Sequence, residues 1–301
     1  MTTATNPQAK VPVPGQKSRG GAKTPQRIQQ PLIEGRYRPI TAHQIIMAWW
    51  LFSSGHMTRR ALRVYFAAHE MAERRRYSGP DSGGHAHFKL SELKELVGGR
   101  GSATADRDLR ADVRQLAQLG LAAIGKHKIV FATSIEQIHV EDTSDFFSMW
   151  SGLRKGMARR HIPVPRRTLR ALAAGFRTAD TAYVLGAMLS AVFWHKKQAC
   201  YSVDGRLKDA WVSETFRIGL SSTRKARKHL VELGWLRELE TPQWLRNKYG
   251  THVVVNVDWK RGDQSAASND VGVDNSGTAS VGEGRGTAGS STPPALSLIH
   301  I

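Results

Sequence analysis

The pattern of apolar and polar positions predicts the same succession of elements in two parts of the chain. In the first part, Thr41 and Thr58 are placed to cap two apolar helices, and a short helix begins near Ser91. A longer helix is predicted from about Ala103 to Leu119. Its apolar positions recur at helical spacing: Leu109, Val113, Leu116 and Leu119. Gly120 should end it, and the apolar runs at 121–124 and 129–132 then predict a hairpin.

The second part repeats this plan. Thr178 is predicted to cap an apolar helix, residues 208–216 a short helix, and Gly219 a turn. Ser221 or Ser222 should cap a helix that ends at Leu233 and Gly234, before two strands at 235–240 and 252–257. A shift of 114 positions superposes the ends of the two longer helices. It carries Leu116, Leu119, Gly120 and Leu121 onto Leu230, Leu233, Gly234 and Trp235. An internal repeat of this kind is stronger evidence than either copy alone, although Leu-x-x-Leu-Gly endings are common.

Charge and cysteine content limit the partners and the compartment. The 301 residues include 44 Lys and Arg against 25 Asp and Glu, a formal charge of +19. A nucleic acid is the commonest partner of such a chain, ahead of an acidic membrane or an acidic protein. Cys200 is the single cysteine, and the first thirty residues contain no apolar signal segment, so we expect a cytoplasmic protein. The apolar stretch 179–194 is shorter than a membrane span and predicts a buried helix.

The order helix, helix, turn, helix and hairpin resembles the winged helix, a helix-turn-helix variant in which a hairpin follows the recognition helix. The resemblance covers residues 41–138 and 162–259 and implies a mainly α fold with short β-hairpin wings, in the α+β class. The predicted organisation has six parts: a disordered basic arm (1–36), winged-helix domain 1 (37–140), a basic linker (141–161), winged-helix domain 2 (162–260), a disordered Gly- and Ser-rich tail (261–295) and a translated sequencing-adapter scar (296–301).

In a winged helix, the second helix of the turn fits the major groove and the wing reaches flanking phosphates. In the second unit, the packing stripe should be Ala226, Leu230 and Leu233, which leaves a polar, basic face. The residues predicted to contact DNA on this helix are Ser221, Ser222, Thr223, Arg224, Lys225, Arg227 and Lys228. Arg246 and Lys248 at the wing tip are further phosphate ligands, while Trp244 and Tyr249 pack either on sugars or on the core. A solvated basic face is the alternative interpretation of the helix.

The first unit is less clear, because its helix mixes Arg107, Arg110 and Arg114 with Asp106, Asp108 and Asp112. We expect ion pairs such as Asp106 with Arg110 to occupy some of the arginines. The unit then either contacts DNA more weakly or serves mainly for dimerisation. Its predicted DNA contacts are Arg100, Arg107, Arg110, Arg114, Lys126 and Lys128. Between the units lies a basic stretch that fits either a linker along the DNA backbone or a solvated helix and turn. It contains Arg154, Lys155, Arg159, Arg160, Arg166 and Arg167.

Tests for catalysis are negative. A nicking replication or mobilisation enzyme, the minor alternative, needs a histidine pair and a tyrosine nucleophile; His85 and His87 are the candidate pair, and Tyr183 lies in an apolar helix. Neither a phosphate-binding glycine loop nor zinc-ligand spacing occurs, so the sequence predicts no enzyme, cofactor or metal.

Tandem winged helices with a basic arm resemble initiator proteins of plasmid replication. That resemblance implies sequence-specific binding of double-stranded DNA, with a homodimer and host replication proteins as further partners and no role for a membrane. A helix-turn-helix transcription regulator is the alternative, and a partition or coating protein is a third class.

Overall fold

The computed structural model describes residues 29–30, 37–76, 88–98, 103–125, 128–153, 156–195 and 200–259. These ranges contain ten α-helices and ten short strands, which confirms an α+β protein. Several predictions concern other positions and lie outside these ranges: nearly all of the arm, the tail, residues 296–301, His85, His87, Arg100, Lys126, Arg154 and Lys155.

The first half of the chain, residues 37–140, holds most of the elements predicted for it. They are preceded by β1 and followed by α5. The bounds are β1 Gln29–Gln30, β2 Tyr37–Thr41, α1 Ala42–Ser53, α2 Arg59–Arg76, α3 Leu90–Leu96, α4 Ala103–Gln118, β3 Ala122–Ile124, β4 Ile129–Phe131, a 3-10 turn Ile135–Gln137, and α5 Ser144–Ser151. The predicted linker therefore contains a helix, whose Phe146 and Met149 are buried.

The second half, residues 162–259, repeats the order of helices with a richer set of strands. The bounds are β5 His161–Pro165, α6 Arg166–Ala174, α7 Thr178–Ala191, β6 Phe193–His195, β7 Cys200–Ser202, β8 Asp204–Leu207, α8 Asp209–Thr215, α9 Leu220–Glu232, β9 Leu236–Leu239, α10 Gln243–Tyr249, and β10 Thr251–Val255.

The strands form four small antiparallel sheets. Two of them are hairpin-based, β3 with β4 and the three-stranded sheet β8-β10-β9. A third, β1-β7-β6, brings Gln29 and Gln30 beside Ser202 and Tyr201. The fourth joins the two halves, because β2 pairs with β5 from Tyr37 opposite Pro165 to Thr41 opposite His161.

A single hydrophobic core runs through both halves. Trp49 and Trp50 of α1 are buried in it, together with Trp235 from the far end of the chain. The indole nitrogen of Trp49 donates to the backbone oxygen of Phe216 at 2.9 Å, across the two halves. Because apolar burial is continuous, we describe the halves as parts of one packed body. Among the described helices, none is both long and apolar enough to cross a bilayer.

The helix caps predicted at Thr41 and Thr58 are confirmed, and the cap predicted at Thr178 is wrong. The Thr41 hydroxyl accepts from the Gln44 amide at 3.1 Å, and Thr58 caps α2 in the same way through the Ala61 amide at 3.0 Å. Thr178, in contrast, is already the first residue of α7, and Arg177 occupies the cap position. The Arg177 side chain pairs with Asp180 in the first turn instead.

Candidate nucleic-acid interface

Helices α4 and α9 occupy equivalent places in the two halves. Gly120 and Gly234 follow their last turns with φ of 71° and 67°, a left-handed conformation that glycine adopts without strain. The next amides, those of Leu121 and Trp235, each bond back at 3.0 Å to a leucine carbonyl, of Leu116 and Leu230 respectively. The shift of 114 positions therefore superposes backbone geometry as well as residue types.

The inward face of α9 begins one turn earlier than predicted. Thr223 is fully buried and lies on one stripe with Ala226 and Leu230. Its hydroxyl donates to the Gly219 carbonyl at 3.1 Å, so the predicted outward position of Thr223 is wrong. The cap prediction is also wrong: Gly219 is the cap residue, without a side-chain bond, and Ser221 and Ser222 lie exposed in the first turn.

The outward face of α9 is polar and basic, as predicted. It consists of Ser221, Ser222, Arg224, Lys225 and Lys228, all exposed. The Lys228 side chain is 82% exposed, with Glu232 at 3.9 Å as a solvent-screened neighbour.

Arg227 does not belong to this outward face. Its guanidinium lies 2.7 Å from Glu238 of β9 and 3.2 Å from Asp209 of α8. The side chain is three-quarters buried by these contacts. Arg227 thus fastens α9 to the neighbouring helix and hairpin.

The acidic residues of α4 face the fold rather than the arginines of their own helix. Arg60 of α2 contacts Asp108 at 2.7 Å and the buried Asp112 at 2.5 Å. Lys94 of α3 holds Asp106 at 2.8 Å, so the expected pair of Asp106 with Arg110 is not formed. The hydrogen bond from Arg60, supported by its charge, holds the pKa of Asp108 below the ordinary value.

Arg107, Arg110 and Arg114 are consequently exposed on the other side of α4. The one bond that Arg114 shows is to the Arg110 carbonyl, at 3.3 Å. Within the described ranges, none of the three pairs with a carboxylate. The prediction that acidic neighbours occupy these arginines is therefore wrong.

The two outward faces carry cations at two equivalent positions. Adding 114 carries Arg110 onto Arg224 and Arg114 onto Lys228. Residues four apart on a helix lie on one side of it, so each helix presents a pair of cations one turn apart. We call these two pairs the matched cations.

The two hairpins differ more than the helices. Between strands β3 and β4 the Gly125 amide donates to the Lys128 carbonyl at 2.9 Å, and Lys128 is exposed. Strands β9 and β10 pair as predicted, but the segment between them is helix α10 rather than a polar loop. Arg246 and Lys248 are exposed on that helix.

The aromatic residues of this segment do not close onto the core. Trp244 is 61% exposed and Tyr249 is 44% exposed, which overturns the interpretation of both as core residues. Sequence patterns missed α10 because Gln243–Tyr249 has no apolar periodicity. The signal that could have shown it is Pro242, which is favoured immediately before or at the first turn of a helix.

The basic stretch between the halves is held by the fold. A cleft is lined by Arg166, Arg167, Arg170, Val257 and Asp258. The buried carboxylate of Glu70 in α2 binds Arg170 at 2.7 Å and Arg166 at 3.1 Å. Arg160 donates to the Leu189 carbonyl at 3.0 Å. Arg166 and Arg170 thus bind the second half to α2 of the first, a role that sequence reasoning missed.

Among the residues that the structure describes, no three His, Cys, Asp or Glu side chains are grouped as metal ligands. Comparisons with protein-family models, curated proteins and solved structures found no match to this chain.

Proposed function

We propose that this protein binds double-stranded DNA sequence-specifically through α4 and α9, as the recognition helices of two winged-helix modules, and that it initiates replication of a plasmid or other mobile element. The observation that carries the proposal is the pair of equivalent exposed positions that hold the matched cations, Arg110 and Arg114 with Arg224 and Lys228. A face that serves only for solvation has no need of this correspondence.

The chemistry of the α9 face suits DNA. Arginine binds guanine edges or phosphates with two hydrogen bonds, and lysine binds phosphate as a point charge. The first turn of α9 carries Ser221 and Ser222, whose hydroxyls can reach bases or phosphates. Phosphate is also favoured there by the helix dipole.

The topology of the second half supports the assignment of α9 as a winged-helix reading element. Strand β8 precedes α8 and pairs with β10, which in turn pairs with β9. Helices α8 and α9 therefore lie, in chain order, between the first strand of this sheet and its hairpin. Arg227 adds a side-chain tie between α9 and that hairpin through Glu238.

The shared core supports a target with two half-sites. The core, the pairing of β2 with β5 and the bond from Trp49 to Phe216 all join the halves, so α4 and α9 are carried by one body. Once one helix is placed on DNA, the other is already oriented, and the second contact adds affinity without a further loss of rotational freedom. Initiation is proposed from the resemblance to plasmid initiators, which bind repeated origin sites.

The test is titration of the full chain against a fragment library of its source replicon. An initiator is expected to protect clustered repeats, whereas a transcription regulator would protect a promoter-proximal palindrome and uniform protection would overturn sequence specificity. The double variant Arg224→Ala, Lys228→Ala should weaken binding and reduce the slope of log affinity against log salt by about 2. Arg227→Gln is the control in the same helix, because its side chain already pairs with Asp209 and Glu238; its salt slope should equal that of the parent.

A further inference from the structure

The cleft beside the start of α6 lies where this helix of the second half meets α2 of the first. It has a volume of about 220 Å³ and is lined by Arg166, Arg167, Arg170, Val257 and Asp258. Among the described residues that line it, Val257 alone is apolar, so the cleft offers little surface to an aromatic base or an acyl chain. It is smaller than the pockets that hold drug-sized ligands, and its hydrogen-bond donors are guanidinium groups. This lining suits a small anion.

Three arginines share one carboxylate at this cleft. The buried carboxylate of Glu70 binds Arg170 at 2.7 Å, Arg74 at 2.9 Å and Arg166 at 3.1 Å. Arg166 and Arg170 bind the same oxygen, Oε1, so their two guanidiniums are held side by side. Like charges at such a distance repel each other, and a second anion at the cleft would relieve that repulsion.

The arginines of the cleft keep donors that the fold does not use. Arg170 bonds Glu70 through Nε, its side chain is 49% exposed, and its two terminal nitrogens have no bond to another described residue. The Nε of Arg166 is buried and has no partner within the described ranges. Arg167 donates to the Asp258 carbonyl, while the exposed Asp258 carboxylate is 4.0 Å away and forms a solvent-screened pair. The forked donors of arginine match the oxygens of a phosphoryl group.

The position of these arginines along α6 favours the same kind of ligand. The helix begins at Arg166, and its first turn has neither an acidic residue nor a side-chain cap. The positive end of the helix dipole lies there, so Arg166 and Arg167 are placed unfavourably for the helix by itself. An anion bound at this end would interact favourably with the arginines and with the dipole.

We propose that this cleft binds the phosphoryl groups of a small ligand, with Arg167 and Arg170 as the side chains that hold it. Arg166 and Arg170 also bind Glu70 of α2, so the bound ligand reinforces the contact between the two halves. A ligand that binds only the folded chain raises its stability by mass action. The site is separate from the proposed function, because no DNA contact takes part in it.

The test titrates inorganic pyrophosphate into the full chain by isothermal titration calorimetry. The parent should show saturable binding at a single site and a higher melting temperature when pyrophosphate is present. Arg170→Ala and Arg167→Ala should each weaken binding about tenfold, through the loss of one charge-assisted contact. Arg167→Ala leaves the bonds to Glu70 in place, so it tests the site even if Arg170→Ala fails to fold. Arg237→Ala, which removes an exposed arginine of β9, is the matched control and should bind as the parent does.

Absence of saturable binding by the parent would overturn the proposal. Equal weakening by Arg237→Ala and Arg167→Ala would also overturn it, because attraction to the net charge of the chain would then explain the binding. The phosphates of DNA are distinguished by repeating the series on a fragment that the parent protects, where Arg167→Ala should leave affinity and salt slope unchanged. A slope reduced by about 1 with unchanged pyrophosphate affinity would assign Arg167 to the DNA backbone and overturn the site. If the parent protects no DNA, the proposed function fails while the pyrophosphate titration still decides this site.

Discussion

Helices α4 and α9 hold the same place in the two halves, yet they are fastened by different chemistry. On α4, Asp112 takes a buried position and is held by Arg60 of α2. The position that a shift of 114 assigns to α9 is Ala226, which packs without any charge. The acidic residues of α4 therefore do not neutralise its outer face. The sum of the charges along a helix therefore does not give the charge of its exposed face when some of the charged residues lie on the buried face.

The hairpins that follow these helices also differ, and here the second half has the additional element. In the first, only residues 125–128 separate the two strands, whereas the second carries α10 with its exposed tryptophan. The first half therefore matches the second in its helix, and the described residues of its hairpin carry no exposed aromatic ring like that of Trp244. If both halves bind DNA, they are expected to do so with unequal contact areas.

The largest expected effect comes from removing the matched cations of each helix separately. We expect Arg224→Ala with Lys228→Ala, and equally Arg110→Ala with Arg114→Ala, to lower affinity for the specific fragment about 100-fold, because each pair contributes two phosphate or guanine contacts. Fluorescence anisotropy at several salt concentrations measures both affinity and slope. A parent-like result for the α4 variant alone would leave dimerisation as the role of the first half.

The next effect concerns the ion pair that joins α4 to α2, between Asp112 and Arg60. Arg60→Ala leaves the Asp112 carboxylate buried without its partner, and we expect the free energy of unfolding to fall by about 2 kcal/mol. Chemical denaturation measures this loss. Adding Asp112→Ala, the residue type that α9 has at Ala226, should recover part of it. A double variant less stable than Arg60→Ala would contradict this account of the pair.

A third difference between the halves is sensitivity to acid. His69 of α2 is buried and stacks on Phe131, with the two ring centroids 3.7 Å apart. Burial lowers the pKa of His69 well below 6.5. The shift of 114 carries it onto Tyr183, which is also buried but bonds Asp209 at 3.3 Å. As pH falls below 6.5, the unfolded chain binds a proton at His69 that the folded chain does not. Stability should therefore fall in acid, by up to about 1.4 kcal/mol per pH unit from this residue.

The variant His69→Leu should lose this contribution. Its unfolding free energy, measured from pH 7.5 to 5, should decline less steeply than that of the parent. His139→Ala, which changes an exposed histidine, serves as the control. Equal declines for His69→Leu and the parent would show that His69 takes up its proton in the folded state.

The smallest expected effect is at Thr223. Thr223→Val keeps the shape of a fully buried side chain and removes its bond to the Gly219 carbonyl, so we expect a loss of about 1 kcal/mol or less. Affinity and salt slope for DNA should not change. Ser222→Ala, one position earlier and exposed, should weaken DNA binding without changing stability. If Thr223→Val weakened DNA binding and Ser222→Ala did not, the outward face of α9 would be the one that contains Thr223.

The helices were predictable because their signals are local. The bounds of α4 and α8 follow the apolar periodicity within about two residues, and both glycine stops are confirmed. Partners distant in sequence were not predictable. Nothing near Asp112 indicates Arg60, although the spacing of Leu109, Asp112 and Leu116 does place that aspartate on the buried stripe. The inward direction of Thr223, in contrast, was predictable, because Thr223 lies three residues before Ala226 and seven before Leu230, the spacing of one helix face.

The pairing of β2 with β5 has a consequence for synthesis of the chain. Tyr37 lies opposite Pro165, so the first of these strands has no partner until most of the first half and the segment after it have left the ribosome. Contacts so distant in sequence are slow to form, and unpaired edges and apolar helices are prone to aggregate in the meantime. Truncation before β5 would leave α1, with its two buried tryptophans, incompletely covered. The two halves have the same order of helices, but they are expected to fold together as one unit.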